Sequence, residues 1–228
     1  FGKFVNAGQT CIAPDHLYVH AAVKEAFLTA LRSRIARAYG TGETSPDLAR
    51  IVTPSHAARL AALIADARDK GATPIIAGGQ SGQSLGPHLI EGTTPDMRLS
   101  REEIFGPVLP VLTYSDIDAV IAAINAGDKP LALYIFDRDS ARIDEITRRT
   151  TSGAVGINLT LLHYTQLNLP FGGVNSSGIG AAHGQAGFRA FSHERAVMRN
   201  RFLLLPLIFP PYTPRVMRLV GLIKRVLG

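Results

Sequence analysis

The feature that most narrows the fold of this chain is a repeated switch between two periodicities. "HLYVHA", after Pro14, has the short, aromatic and β-branched texture of a strand. The residues behind it, "AAVKEAFLTALRSRIARAYG", set Val23, Phe27, Leu31 and Ile35 four apart on one helical face, with Gly40 to end the helix. The switch then recurs. "TPSHAARLAALIADARDKG" predicts a helix with Thr53 as N-cap, Pro54 at the first helical position and Leu60, Leu63, Ile64 and Ala67 facing inward. "TPIIAGG" and "LPVLTY" predict strands. "SDIDAVIAAINAG" predicts a helix capped by Ser115 with Ile117, Val120, Ile121 and Ile124 apolar. "LALYIF" is a near-continuous apolar run, as expected of a parallel strand buried on both faces. "DSARIDEITRRT" adds a helix and "GAVGIN" a strand. This alternation argues an α/β fold, an open sheet with helices on its faces. Gly40-x-Gly42 and Gly178-x-Gly180 both lack a third glycine, so there is no Rossmann fingerprint.

At 228 residues and 46% apolar composition the chain can bury a substantial core. One cysteine excludes an internal disulfide and a CxxC metal site, and it fits a reducing, cytoplasmic setting. The first residue is Phe1 and no signal-peptide pattern follows, which suggests a fragment. The net charge of +6 is uneven: seven Lys/Arg and no acid lie from Arg195 onward, leaving 17 basic against 18 acidic residues before it. A neutral body without interleaved basic and aromatic residues argues against nucleic-acid binding. No metal is expected. His16 and His20 are four apart but lie in a strand, where they share no helical face.

Two domains are expected, a body over 1–197 and a basic tail over 198–228. In the tail, Pro206, Pro210, Pro211 and Pro214 forbid a continuous helix before Arg215. Beyond them Val216, Leu219, Val220, Ile223, Val226 and Leu227 share a face, with Arg218, Lys224 and Arg225 mostly off it. Such a helix suits a peripheral contact with an anionic membrane, or packing over a substrate funnel or against a partner subunit.

The lone thiol carries the chemistry. A single Cys is by default a small buried hydrophobe. Cys11, however, sits in "FVNAGQTCIAP", where Asn6, Gly8, Gln9 and Thr10 are small or polar. Such a loop can present a nucleophile and use the Cys amide to stabilise an oxyanion. "FVNAGQTC" resembles the active-site segment of the aldehyde dehydrogenase superfamily. "EEIFGPVLPV" (102–111) resembles that family's cofactor-proximal motif, and "PFGGVNSSGIG" (170–180) its C-terminal loop. The three occur in the family's order. "GQTCIAPDHLYVH", "KPLALYIF" and "HGQAGFRAFSHERAV" look most like the class 3, fatty and coniferyl aldehyde dehydrogenase branch.

The resemblance implies a three-layer α/β/α catalytic domain with an open, mostly parallel sheet, and oxidation of a small-molecule aldehyde with NAD or NADP, most simply in a homodimer. It assigns the nucleophile to Cys11 and the nicotinamide-ribose contact to Glu103. Phe105 packs near the nicotinamide, His56 lies near the cofactor, and Phe171 lines the aldehyde pocket. The thiolate adds to the carbonyl, hydride leaves for the cofactor, and water hydrolyses the thioester.

Two departures stand out. Leu159 in "GINLTLLH" occupies a position often Asp in this branch. Only ten residues precede Cys11, whereas the family's general-base glutamate and Rossmann-like domain lie upstream, so the 228 residues alone are expected to be nearly inactive. The competing readings are a Cys–His hydrolase pairing Cys11 with His163 or His183, and a non-catalytic assembly module. His163 reads as satisfied in the interior, with a place facing the substrate channel as the alternative, and His183 and His193 read as structural or surface. Glu102 reads as a solvated neighbour of Glu103, and Lys129 as a solvated loop residue.

Overall fold

The computed structural model describes residues 1–40, 45–201 and 205–227, the side chains at 205 and 227 excepted. Gly42 and the Leu227 side chain therefore lie outside the described residues. The chain forms two compact units, Phe1–Phe191 and Ser192–Gly228.

The first unit carries β1 (Leu17–His20), α1 (Lys24–Tyr39), α2 (Pro54–Asp69), β2 (Thr73–Ala77), β3 (Gln80–Ser81), β4 (Ser84–Leu85), β5 (His88–Glu91), β6 (Val108–Tyr114), α3 (Ile117–Ala126), β7 (Ala132–Ile135), α4 (Ser140–Arg149), β8 (Ala154–Ile157) and α5 (Gly184–Ala190). The main sheet has the order β1-β6-β5-β2. β1, β6 and β5 run parallel, in the register Leu17 to Val111 and His88 to Val108, while β2 is an antiparallel edge. β3 and β4 form a small hairpin. β7 and β8 pair in parallel as a separate two-stranded sheet. The open, mostly parallel α/β sheet expected from the sequence is present.

Packing explains why the elements sit where they do. α2 starts where Thr53 accepts a hydrogen bond from the His56 N–H, with Pro54 in its first turn. Its Leu60, Leu63 and Ala67 are fully buried against Leu89, Ile90, Met97, Leu99, Ile104 and Val108. Full burial of each leucine or isoleucine stabilises by ~1.5–3 kcal/mol. A satellite core of Ile121, Ile135, Ile143 and Ile146 joins α3 and α4 to the β7–β8 sheet.

Several local expectations change. α3 is capped by Asp116, whose carboxylate accepts from the Asp118 N–H, and not by Ser115, because Asp116 is the residue that adopts the extended cap conformation. α1 buries Leu28 and Ile35, whereas Phe27 and Val23 are exposed. Val23 lies before the helix proper, and Leu28 joins Val19 and Val111, so the buried stripe is rotated from the sequence-based one. In "LALYIF" only Ile135 is buried and Phe136 is 65% exposed, because a two-stranded sheet covered by two helices cannot enclose both faces. Lys129 is engaged: its ammonium donates to the carbonyls of Asn125 and Gly127 at the end of α3.

In the second unit, α6 (Pro214–Leu227) follows a short 3₁₀ turn, Leu205–Ile208, as the prolines require. Val216, Leu219 and Val220 are half-buried, while Ile223 and Val226 are exposed.

Candidate active site

The thiol loop is an unusual piece of backbone. Asn6, Ala7 and Gly8 all have left-handed φ, at 50, 52 and 72°. For non-glycine residues this region is unfavourable and needs support from the surroundings. Gln9 supplies much of it. Its amide nitrogen donates to the carbonyls of Asn6 and Arg50, and its amide oxygen accepts from the Val52 N–H at 2.9 Å. Asn6 closes the turn by donating to the Gln9 carbonyl. Gly8 cannot be replaced, since a Cβ there would lie 2.3 Å from the Gly106 carbonyl oxygen. Above this brace Cys11 is exposed and free, contrary to the default of a buried hydrophobe. Among the described residues its amide N–H has no hydrogen-bond partner, which leaves a donor beside the sulfur.

A buried polar link ties this loop to the "EEIFGP" segment. Lys3, only 4% exposed, pairs with Asp15 at 3.3 Å, and the second oxygen of Asp15 accepts from the Ile104 N–H at 3.1 Å. Burial pulls the Lys3 ammonium below its usual pKa, while Asp15 opposes that shift. Glu103 stands beside the link. Its side chain is exposed overall, yet partial desolvation, with the Asp15 carboxylate adding to it, pushes its carboxyl above the usual range.

α2 grips the same segment from the other side. Arg59 donates to the carbonyls of Glu103 and Ile104, and His56 lies 3.2 Å from the Phe105 carbonyl. The His56 and Phe105 rings meet edge to face at 5.9 Å. Phe105, at φ 48°, is held left-handed by this clamp. The structure thus brings Glu103, Phe105 and His56 to one turn, and the thiol loop is tied to that turn through Asp15. Glu102 stays at the surface, where it ion-pairs with Arg98 at 2.6 Å and lies 3.9 Å from Arg59.

Phe171 belongs to a separate aromatic wall. Backbone bonds in both directions between Phe171 and Ala182 fix the loop. Its ring stacks on His183 at 5.5 Å and meets Tyr164 edge-on at 5.0 Å, with His163 at 6.2 Å. His163 reaches on to Tyr134 at 5.8 Å. It is half-buried rather than core, and among the described residues both its ring nitrogens are buried without a partner, as is Nδ1 of His183. Burial lowers the His163 pKa. Tyr134 in turn donates its phenolic hydrogen to the Ile12 carbonyl, next to Cys11, at 2.8 Å.

Sequence reading missed Lys3, Asp15, Arg59, Tyr134 and Tyr164. Arg59 was accessible in principle, because it follows His56 by three on one helix face. Tyr134 was the one polar tip inside an apolar strand. Lys3 and Asp15 carried no such signal.

The site fits a dinucleotide in one observable respect. Among the described residues the Glu103 carboxylate has no hydrogen-bond or ion-pair partner, so its oxygens are open to hydroxyl donors. No group of three or more His, Cys, Asp or Glu that could hold a metal occurs among the described residues.

The sequence matches the aldehyde dehydrogenase family over residues 1–197. It is 40% identical over 236 aligned residues to the "Probable coniferyl aldehyde dehydrogenase" of Caulobacter vibrioides, covering 98% of this chain and 48% of that protein. It is 38% identical to "Aldehyde dehydrogenase family 3 member B1" of Rattus norvegicus, covering 98% and 48%. The fold superposes on the "Substrate bound state of Staphylococcus Aureus AldH" with a TM-score of 0.84 at 37% identity, over 97% of this chain and 48% of that one. The chain spans about half the length of the curated relatives it matches. Three motifs in order, an α/β sheet and a braced free thiol tied to the "EEIFGP" turn agree with that match, and the chain belongs to the aldehyde dehydrogenase family, alongside its class 3 and coniferyl aldehyde members.

Proposed function

We propose that this chain is the catalytic portion of an NAD(P)-dependent aldehyde dehydrogenase, with Cys11 as nucleophile. The observation that carries the reading is an exposed thiol with an unpartnered amide on a loop tied through Asp15 to the Glu103–Phe105 turn. The Cys11 thiolate adds to the aldehyde carbonyl and forms a hemithioacetal. The amide N–H of Cys11 donates to the oxygen that gains charge, in a position fixed before the substrate arrives. When the cofactor binds, Glu103 would accept hydrogen bonds from its ribose hydroxyls, and Phe105 and His56 would help to hold it. Bound NAD(P) supplies the hydride acceptor. Phe171, with Tyr164 and His183, gives the aldehyde an apolar wall.

Hydrolysis of the resulting thioester needs a general base, which this reading assigns to the remainder of the parent protein. General-base catalysis contributes ~10²–10⁴ in rate. The resemblance also puts a side-chain asparagine donor of the oxyanion hole upstream, and losing one such donor costs another ~10²–10³. The 228 residues alone are therefore nearly inactive. The homodimer and the cytoplasmic setting belong to the same proposal. Among the described residues no helix is long and apolar enough to cross a membrane. α6, with Arg215, Arg218, Lys224 and Arg225 around its apolar residues, packs on a partner subunit or touches an anionic bilayer. Vesicle co-sedimentation with and without residues 213–228 separates the two.

Among the described residues neither the Cys11 sulfur nor either ring nitrogen of His163 has a hydrogen-bond partner, so a Cys11–His163 pair, as a Cys–His hydrolase would use, is not formed. The deciding experiment measures NAD(P)-dependent aldehyde oxidation by the whole parent protein and its Cys11→Ala variant, together with alkylation of Cys11 with and without cofactor. Oxidation lost in the variant, and alkylation altered by the cofactor, are expected. Oxidation surviving Cys11→Ala, or a parent protein inert toward aldehydes, overturns the reading.

A further inference from the structure

Tyr134 occupies a singular place. It lies on β7, in the small sheet, yet its hydroxyl reaches the thiol loop of the large one. The oxygen donates to the Ile12 carbonyl at 2.8 Å and accepts from the Leu161 N–H at 3.3 Å. Among the described residues no other hydrogen bond joins residues 1–15 to residues 131–180. Both partners are strategic. Ile12 follows Cys11 directly, and its side chain is buried, so holding its carbonyl fixes the backbone that leaves the nucleophile. Leu161, at φ 63°, opens the turn that carries His163 and Tyr164 into the aromatic wall. The ring is also located: on the neighbouring strand a Cβ at Gly156 would come within 2.7 Å of its Cδ1. Burial, the Leu161 bond and the Cys11 thiol all bear on the phenol; burial is largest and raises its pKa, so it stays neutral and able to donate.

We infer that Tyr134 is a positioning residue: by holding the Ile12 carbonyl and the Leu161 amide on one oxygen, it sets the gap between the Cys11 sulfur and the aromatic wall formed by His163, Tyr164 and Phe171. The inference rests on the aldehyde dehydrogenase reading for its kinetic consequence but not for its geometry. A nucleophile and its target must be aligned to a fraction of an ångström, and a small displacement caused by a residue that never touches substrate costs up to ~10²-fold. The cofactor turn is anchored elsewhere, through Asp15 and Arg59. Loosening Tyr134 therefore affects the aldehyde side alone.

The test is Tyr134→Phe in the whole parent protein, which keeps the ring and its contact with His163 and removes only the oxygen. Aldehyde turnover is expected to fall about 10- to 100-fold, with the cofactor KM within twofold of wild type and the thermal midpoint little changed. A purely structural role would move stability and both KM values together. A second measurement needs no dehydrogenase activity: the alkylation rate of Cys11 by N-phenyl iodoacetamide divided by that by iodoacetamide. The phenyl group profits from the wall only while the gap is held, so the ratio drops about threefold or more in the variant. An unchanged ratio with unchanged turnover overturns the inference, as does a variant that loses stability and cofactor binding in step with turnover. If the wild-type protein oxidises no aldehyde but the ratio still drops, the functional reading fails and the positioning role stands. If the ratio is unchanged in that inactive protein, both fail.

Discussion

The backbone beneath Cys11 and the aromatic wall beside it are built in opposite ways. Beneath the thiol, left-handed residues, a buried lysine and an arginine clamp are each matched by a partner: Gln9 to Arg50 and Val52, Lys3 to Asp15, Asp15 to Ile104, Arg59 to two carbonyls. The wall is half-exposed and held by ring contacts, and among the described residues it leaves imidazole nitrogens unpaired. In the proposed function the floor holds the nucleophile and the cofactor contact, which must not move, because catalysis depends on preorganised geometry. A surface that accepts an apolar substrate needs only shape and tolerates unsatisfied edges. Stability should therefore be concentrated in the floor, and substrate preference in the wall.

The sharpest way to break this contrast is Gly8→Ala. The new methyl meets the Gly106 carbonyl, a backbone atom, at a left-handed residue. A loss of about 4 kcal/mol in urea unfolding is expected; a loss near zero would mean that the floor yields easily. Next comes Asp15→Ala, which strands the Lys3 ammonium in the interior and costs ~3 kcal/mol. Asp15→Asn keeps an acceptor for Ile104 and should cost less, and the difference between the two variants reads the charge. In the wall, Phe171→Ala removes a half-buried ring, so its stability cost is smaller, ~1–2 kcal/mol against the 3–5 of a fully buried one. Its main effect is a raised aldehyde KM at constant cofactor KM; equal changes in both would erase the division between floor and wall.

Acid supplies a gentler probe. Burial lowers the pKa of His88 and His16 near the main sheet, and of His163 in the wall, below 6.5. Between 6.5 and the lower folded-state values the unfolded chain binds protons that the native chain does not. Stability therefore falls as pH falls through that window, and it is constant above. His88→Gln should flatten the decline in stability on acidification below pH 6.5, read by urea unfolding across that range. A steeper slope would contradict the assignment. At the small end, Arg98→Ala breaks an exposed ion pair with Glu102 and should leave the thermal midpoint unchanged within error.

Much of this was legible in the residues because it depends on neighbours in sequence. The α2 start at Thr53 and Pro54, the end of α1 at Gly40, and the proline break before α6 are written in single side chains whose preferences act locally. The exposure of Cys11 was legible too, from the small and polar residues around it, although Ala7 and Gly8 of the same loop are buried. The α1 stripe was not, because four-residue spacing admits several neighbouring faces. Which face is buried is decided by β1 and β6, which bring Val19 and Val111 to Leu28. The double burial of "LALYIF" failed for a related reason. Composition makes a strand apolar, but only the number of neighbouring strands says whether both faces are covered.

The sequence by itself determined the α/β alternation, the nucleophile candidate and the family motifs that mark Glu103, Phe105 and Phe171, because each is encoded in a short contiguous stretch. Only the tertiary structure decided that Lys3 and Asp15 form the link under the site, that Arg59 grips the turn behind Glu103, and that Tyr134 holds the thiol loop and the Leu161 turn on one oxygen. Those are contacts between residues 12 to 122 positions apart. No local propensity encodes them, and they exist only where packing of the separate cores brings distant backbone together.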